Sequence, residues 1–325
     1  MLNAYGVENE ALVRIETTAD AVPANVKWVD LLQPVQGEDK LLEKCLGIEI
    51  PTREEMLEIE PSSRLYVDHG VRYMTATLLC NTELGAPKLT QISFVLSPTR
   101  LITVRYDTPK PINLFLNRAQ KQGAVQASPE AIMTGLLDTI VDRIADILER
   151  VGEEIEQASG RIFTGRQAGT RAASETFQDV LQTLGTKGEL VSKARESLVS
   201  INRLLLFLAT EIEGNKVSKD VRALLKSQSR DVESLTQHCD SLANKITFLL
   251  DAVLGLIGIE QNNIVKIFAV LSVVFMPPTL VGTIYGMNFK QMPELGWDLG
   301  YPMAMVLMVV SGVLPYMWFR KKGWL

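Results

Sequence analysis

Cysteine and histidine are scarce in this 325-residue chain. Cys45, Cys80 and Cys239 are odd in number and far apart, which argues against a disulfide framework and offers no metal-ligand spacing. His69 and His238 likewise have no ligand partner at a recognisable spacing, so surface or packing roles are expected for both. Basic excess is also missing. A net charge of -5 gives no footprint for nucleic acid. The first ten residues lack both a basic region and an apolar core, so no cleaved signal peptide is expected and the bulk of the chain should remain in a reducing cytosol. There is no internal repeat, no low-complexity tract, no nucleophile–base pair and no phosphate loop. An enzyme is therefore the least supported class, and no organic cofactor is expected.

Charge itself is absent from two stretches, 267–289 and 299–319. About 20 apolar residues suffice to cross a hydrocarbon core, so each stretch qualifies as a membrane span. Between them lie Lys290, Glu294 and Asp298, and beyond the second come Arg320, Lys321 and Lys322. Positive charge stays inside, which makes the tail cytoplasmic and the connector external. Trp297, Tyr301, Trp318 and Trp324 stand near the expected interfaces. A buried hairpin in a soluble protein is the alternative.

The remainder divides by pattern. Residues 1–127 read as a mixed α/β domain, with strands at 12–18, 26–31, 72–79, 89–96 and 101–106. Ser97-Pro98-Thr99-Arg100 is a plausible turn joining the last two. Helices are expected at 37–46 and 52–59, the second opened by Pro51-Thr52 with Glu54 and Glu55 in its first turn. From Ser128-Pro129-Glu130, a good helix start, residues 128–263 read as very long stalk helices: to about 160, from 174 to 213, and from 218 onward. Residues 264–325 form a transmembrane hairpin. Asp138, Asp142 and Asp146 recur every fourth residue, as a solvated helix face or as a feature that concentrates cations.

One side of the third long helix is small or polar almost throughout. Steps of 3.5 residues from Asp251 meet Gly255, Gly258, Asn262, Val265, Ala269, Ser272, Met276, Thr279 and Thr283. Ile264, Ile267, Phe268, Leu271, Val274 and Phe275 occupy the other sides. Such a stripe either packs helices closely or lines a wet path between several copies. Three features favour the path. The stripe runs past the membrane to an acid, Asp251; its heptad-like repeat suits identical helices in a ring; and two spans cannot enclose a channel alone. Pro277-Pro278 interrupts the backbone ladder and marks either a bend or a gating region. At the outer end, Tyr285-Gly286-Met287-Asn288-Phe289 offers a glycine that lets the chain leave the helix and a neutral amide oxygen on Asn288. Mg²⁺ sheds its waters reluctantly, so neutral oxygens could select the hydrated ion through its shell.

With Ile259-Glu260-Gln261-Asn262, Phe275-Met276-Pro277-Pro278-Thr279-Leu280 and Met292-Pro293-Glu294-Leu295, that motif makes the chain resemble the CorA family of divalent-cation transporters, closely over 230–325. The amino-terminal half resembles it more loosely, through its α/β-then-long-helix order and Pro51-Thr52-Arg53-Glu54-Glu55-Met56. The resemblance implies a funnel-shaped homopentamer in a bacterial inner membrane, both termini cytoplasmic, passing hydrated Mg²⁺, with Co²⁺ and Ni²⁺ as further ions. Gly286, Met287 and Asn288 would form the external selectivity site. Val265, Phe268, Ser272, Met276 and Thr279 match pore-lining positions; Phe268 competes there with Ala269 of the stripe. Asp251 and Asn262 would stand at the cytoplasmic pore mouth, and Glu294 in the external loop. Family members are gated by Mg²⁺ held between neighbouring cytosolic domains. Glu55 matches one side of that site; Asp231 is the nearest acid to the other, where ungapped matching places Ser227. A zinc transporter of the ZntB type and a non-conducting membrane scaffold are the alternatives. Retention of Tyr285, Met287 and the Met-Pro-Glu-Leu loop favours magnesium.

Overall fold

A computed structural model describes residues 1–35, 37–83, 86–121, 128–164, 170–212, 218–288, 290 and 292–323. Glu213, Phe289 and Trp324, which the sequence reading used, lie outside them. The chain forms two compact units, one of Met1–Thr164 with Asp179–Leu249, the other built mainly on Leu250–Leu325.

The first unit holds a seven-stranded sheet: β1 (Leu2–Glu8), β2 (Ala11–Ile15), β3 (Val26–Leu32), β4 (Leu65–Asp68), β5 (Val71–Cys80), β6 (Lys88–Leu96) and β7 (Leu101–Arg105), in the order β2-β1-β3-β7-β6-β5-β4. Among the described strands, β3 and β7 pair in parallel and the other neighbours pair antiparallel. The expected hairpin is β6–β7, closed by Ser97, whose N–H and hydroxyl both donate to the Arg100 carbonyl at 3.0 Å. Alternation decides which residues face which layer. Val29, Leu31, Val95, Ile102 and Val104 pack with Leu42 of α1 (Glu38–Leu46) and Met56 of α2 (Arg53–Leu57). A short α3 (Pro61–Arg64) leads into β4.

Trp28 points to the opposite face, edge-on to Phe115 of α4 (Lys110–Ala119) at 5.8 Å. A buried polar network shares that face. Arg105 donates from Nε and Nη2 to the two oxygens of Asp30, at 2.9 and 2.8 Å. Thr103 Oγ1 donates to Asp30 Oδ1 at 2.8 Å and accepts from Trp28 Nε1 at 3.0 Å. Both charged side chains are at most 5% exposed.

The long helices are α5 (Pro129–Thr164), α6 (Thr170–Ile212) and α7 (Lys219–Tyr285). Within the first unit, the buried residues of α7 are Val221, Leu225, Gln228, Val232, Cys239, Leu242, Ile246 and Leu249. Their spacing alternates between three and four, with one whole heptad step, as a coiled-coil seam requires. Gln228 Nε2 donates to the Thr134 carbonyl of α5 at 2.8 Å, and Arg195 of α6 to Asp240 of α7 at 2.6 Å.

The second unit pairs the end of α7 with α8 (Gly300–Lys321). The proline pair does not end α7: Pro277 and Pro278 stand inside a helix that runs on to Tyr285. Both helices are long and apolar enough to cross a membrane, and only 6% and 17% of their most apolar windows are buried. That degree of exposure argues against the soluble-hairpin alternative, because a soluble core helix would be mostly covered within its chain.

Candidate functional site

On α7, the residues α8 covers and the polar stripe fall on opposite sides. Val270 is buried, and Val274, Pro277, Pro278, Val281, Gly282 and Tyr285 are partly buried. The spacing of this set keeps it on one face. A Cβ placed on Gly282 would touch Met308 Cε of α8 at 3.5 Å. At 3.6 residues per turn, Val265, Ala269, Ser272, Met276, Thr279 and Thr283 lie about 180° away from that set. All six are exposed. Phe268 and Ala269 flank the stripe's midline on either side, and both are exposed. Ile264, Ile267, Leu271 and Phe275 are exposed as well, off the stripe, where apolar bulk suits lipid.

The stripe hydroxyls have a defined orientation. Ser272 Oγ donates to the Phe268 carbonyl at 2.9 Å, Thr279 Oγ1 to Phe275 at 2.7 Å, and Thr283 Oγ1 to Thr279 at 2.7 Å. Each spends its proton on the helix four residues back and keeps lone pairs to offer. Waters around a divalent cation are polarised donors, so acceptors of this kind suit a hydrated ion. Asp251 and Asn262, nearer the start of the unit, are exposed on α7.

Gly286, Met287 and Asn288 follow the last turn of α7 and are exposed. Gly286 N–H donates to the Gly282 carbonyl at 3.0 Å and Met287 N–H to Ile284 at 3.2 Å. The positive-φ glycines are Gly37, Gly47, Gly70 and Gly323, so Gly286 departs from the helix without a left-handed backbone. Its requirement is space, since a Cβ there would stand 3.1 Å from the Gly282 carbonyl oxygen. The motif therefore sits at the negative end of a helix dipole, which favours cations. Glu294 belongs to a 3₁₀ turn, Pro293–Gly296, and its side chain is outside the described residues.

Glu55 and Asp231 sit in different surroundings. Thr52 and Glu55 form a capping box on α2: Glu55 Oε2 accepts from Thr52 N–H at 2.8 Å and from Thr52 Oγ1 at 3.0 Å. Asp231 faces the acids of α5. Burial raises the pKa of Asp142, and the charges of Asp138, Asp146 and Asp231 raise it further, beyond the relief from Arg118. Among the described residues, no group of three or more His, Cys, Asp or Glu is arranged to hold a metal within the chain.

The raised Asp142 pKa has a measurable consequence. A carboxylate whose folded pKa exceeds its unfolded value contributes stability when protonated, and that contribution is lost as pH rises through the folded pKa. Asp142→Asn should therefore raise thermal stability at pH 7, by roughly 0.2–0.5 kcal/mol per relieved like-charged pair. The gain over the native protein should shrink as pH falls through the carboxylate range. A pH series of melting curves on both proteins checks this.

The face of α8 that meets α7 is a feature the sequence reading did not use. Gly300, Ala304, Met308, Ser311, Gly312, Pro315 and Phe319 are its covered positions. The small residues among them, four, seven and eight apart, were the available signal.

Comparison with known proteins bears on this arrangement. The family model described as "CorA-like Mg2+ transporter protein" matches residues 23–321. The magnesium transport protein CorA of Pasteurella multocida is 36% identical over 327 residues, and that of Escherichia coli K12 is 35% identical over 328; in each case all of both chains is covered. The complete structure of the CorA magnesium transporter from Methanocaldococcus jannaschii superposes with a TM-score of 0.78 at 19% identity, covering 100% of this chain and 99% of that one. The ZntB cytoplasmic domain of Vibrio parahaemolyticus gives 0.58 at 10% identity, over 78% of this chain and 96% of its own, a likeness of fold. With an α/β domain, very long helices and two helices long and apolar enough to cross a membrane, matched by the family model over 23–321 and by relatives at 36% and 35% identity over their whole length, this chain belongs to the CorA family.

Proposed function

We propose that the chain conducts hydrated Mg²⁺ into the cell across a bacterial-type inner membrane, as a homopentamer with both termini cytoplasmic. The observation that carries this reading is the stripe itself. It lies on the face of α7 away from α8, and its hydroxyls are turned to accept from water. Relatives named as magnesium transport proteins, alike over their whole length, support the choice of ion. In this reading α7 lines the pore from Asp251 and Asn262 at the cytosolic mouth, through Val265, Phe268 or Ala269, Ser272, Met276 and Thr279, to Thr283. Gly286, Met287 and Asn288 admit the ion at the outer end, and Glu294 draws cations to it. The α8 helices form the outer ring.

Functionally, residues 1–127 and 128–263 act as the cytosolic sensor and stalk, and 264–325 as the membrane hairpin. Glu55 and Asp231 of neighbouring subunits hold regulatory Mg²⁺. Because Glu55 already caps α2 through one oxygen, its other oxygen serves the metal. Co²⁺ and Ni²⁺ pass by the same route. Purified protein in sealed vesicles tests the proposal, with Mg²⁺ and Zn²⁺ uptake measured separately under an inside-negative potential. Uptake of Mg²⁺ is expected. Zinc uptake without magnesium uptake would assign the chain to zinc, and no uptake of any divalent ion would make it a scaffold.

A further inference from the structure

Val274 is placed unlike any other residue of the first span. Its carbonyl should accept from the N–H three or four residues on, but those residues are Pro277 and Pro278, which have none. In hydrocarbon no water replaces the lost donor, and a neighbouring helix must attend to the bare oxygen. Gly312 of α8 comes against that spot. A Cβ built on Gly312 would lie 3.3 Å from the Val274 oxygen and 3.3 Å from Pro278 Cγ. Both contacts are tight, so the approach depends on a residue without a side chain. A Cα–H, itself a weak donor, stands where that Cβ would be.

The place of the contact matters. Val274 and Pro278 belong to the covered face of α7, about 100–160° around the helix from Thr279 and Ser272. We infer that Gly312 is a positioning residue for ion conduction: seated against the carbonyl that the proline pair strips of donors, it fixes the rotation of α7 that turns the polar stripe to the pore. This rests on the proposed pore reading.

A mutant cycle on the full-length protein in vesicles tests it, with Mg²⁺ flux normalised to assembled oligomer. Gly312→Ala should lower flux several-fold and Gly312→Leu by roughly tenfold or more, as overpacking pushes α8 away. Pro278→Ala returns an N–H to Val274 and removes the ring, so Gly312→Ala should cost much less in that background. Rotation is read separately. With Thr279→Cys or Ile284→Cys added, a water-soluble thiol reagent should block the first and spare the second when Gly312 is native, and lose that discrimination with Gly312→Leu. Independent effects of Pro278→Ala and Gly312→Ala, or discrimination unchanged by Gly312→Leu, would overturn the inference. Should Gly312→Leu fail to assemble, the alanine cycle decides. If Thr279→Cys is unreactive with Gly312 native, the pore reading fails instead; the alanine cycle, read in thermal stability, still reports whether the contact is coupled.

Discussion

Asn288→Ala is expected to leave the protein folded, inserted and assembled while abolishing its Mg²⁺ flux. Asn288 is exposed just beyond the C-terminal end of α7. No hydrogen bond of its side chain within the chain is among those described, so truncation removes little that the fold uses. What it removes, in the proposed filter, is a neutral acceptor for the ion's water shell. In the proposed pentamer five such acceptors go at once. At about 0.5–1.5 kcal/mol each, their loss amounts to roughly 2.5–7.5 kcal/mol. That corresponds to about two to five orders of magnitude in occupancy of the site. Vesicle flux and size-exclusion chromatography on the same preparation separate the two effects. Flux close to that of the native protein would remove Asn288 from the filter.

The largest effect on stability is expected at Asp30. Its two oxygens take Arg105 on a bidentate fork and Thr103 beside it, and the pair is almost wholly buried. Asp30→Ala leaves a guanidinium in the core with only the Asp107 carbonyl, 2.8 Å from Nη1, to answer it. Breaking a buried pair in this way costs about 3–5 kcal/mol. For a unit of this size that lowers the melting temperature by roughly 10 °C. Replacing both partners with apolar residues, Asp30→Leu with Arg105→Met, should recover most of the loss, because no charge then stays buried unpaired. Melting curves of the single and double variants make the comparison. A single variant as stable as the native protein would show that Arg105 reaches other partners.

What could be read from the sequence was what short-range pattern encodes. The β6–β7 hairpin announced itself through Ser97-Pro98, α2 through Thr52 and Glu55, and the spans through missing charge. The length of the stalk helices pointed to a coiled coil, but the α7 seam from Val221 to Leu249, interrupted by Gln228 and Cys239, went unread. The strand β1 escaped because Leu2–Glu8 carries Gly6 and no clean alternation. A Cβ at Gly6 would fall 3.1 Å from the Asn25 carbonyl oxygen, a tight backbone contact, and against the movable end of Ile15. The Asp30–Arg105 pair escaped for another reason: a parallel β3–β7 register joins residues 75 positions apart, and no local pattern records it.

The stripe was visible but ambiguous. Small residues look alike in a sequence whether they pack a helix or line a path, and α8 provides the contrast. Gly300, Ala304, Ser311 and Gly312 are covered within the chain, Gly312 by Val274 and Pro278 of α7, whereas Ala269, Ser272, Thr279 and Thr283 are left open. At the motif, Gly286 leaves the helix without a left-handed backbone, and a Cβ there would stand 3.1 Å from the Gly282 carbonyl oxygen.

The central claim is that this open face of α7 is the ion path, and a cysteine scan tests it most directly. Cys45 is exposed and is replaced by serine first; Cys80 and Cys239 are buried and can stay. Single cysteines are then placed at Met276, Thr279 and Thr283 on the stripe, and at Leu271 and Ile284 on the flanks. Mg²⁺ flux is followed while a water-soluble thiol reagent is added. Block at the three stripe positions and none at the two flanking ones is the predicted result. Block at Leu271 and Ile284 with the stripe unreactive would place the path on another face of the helix and contradict the account.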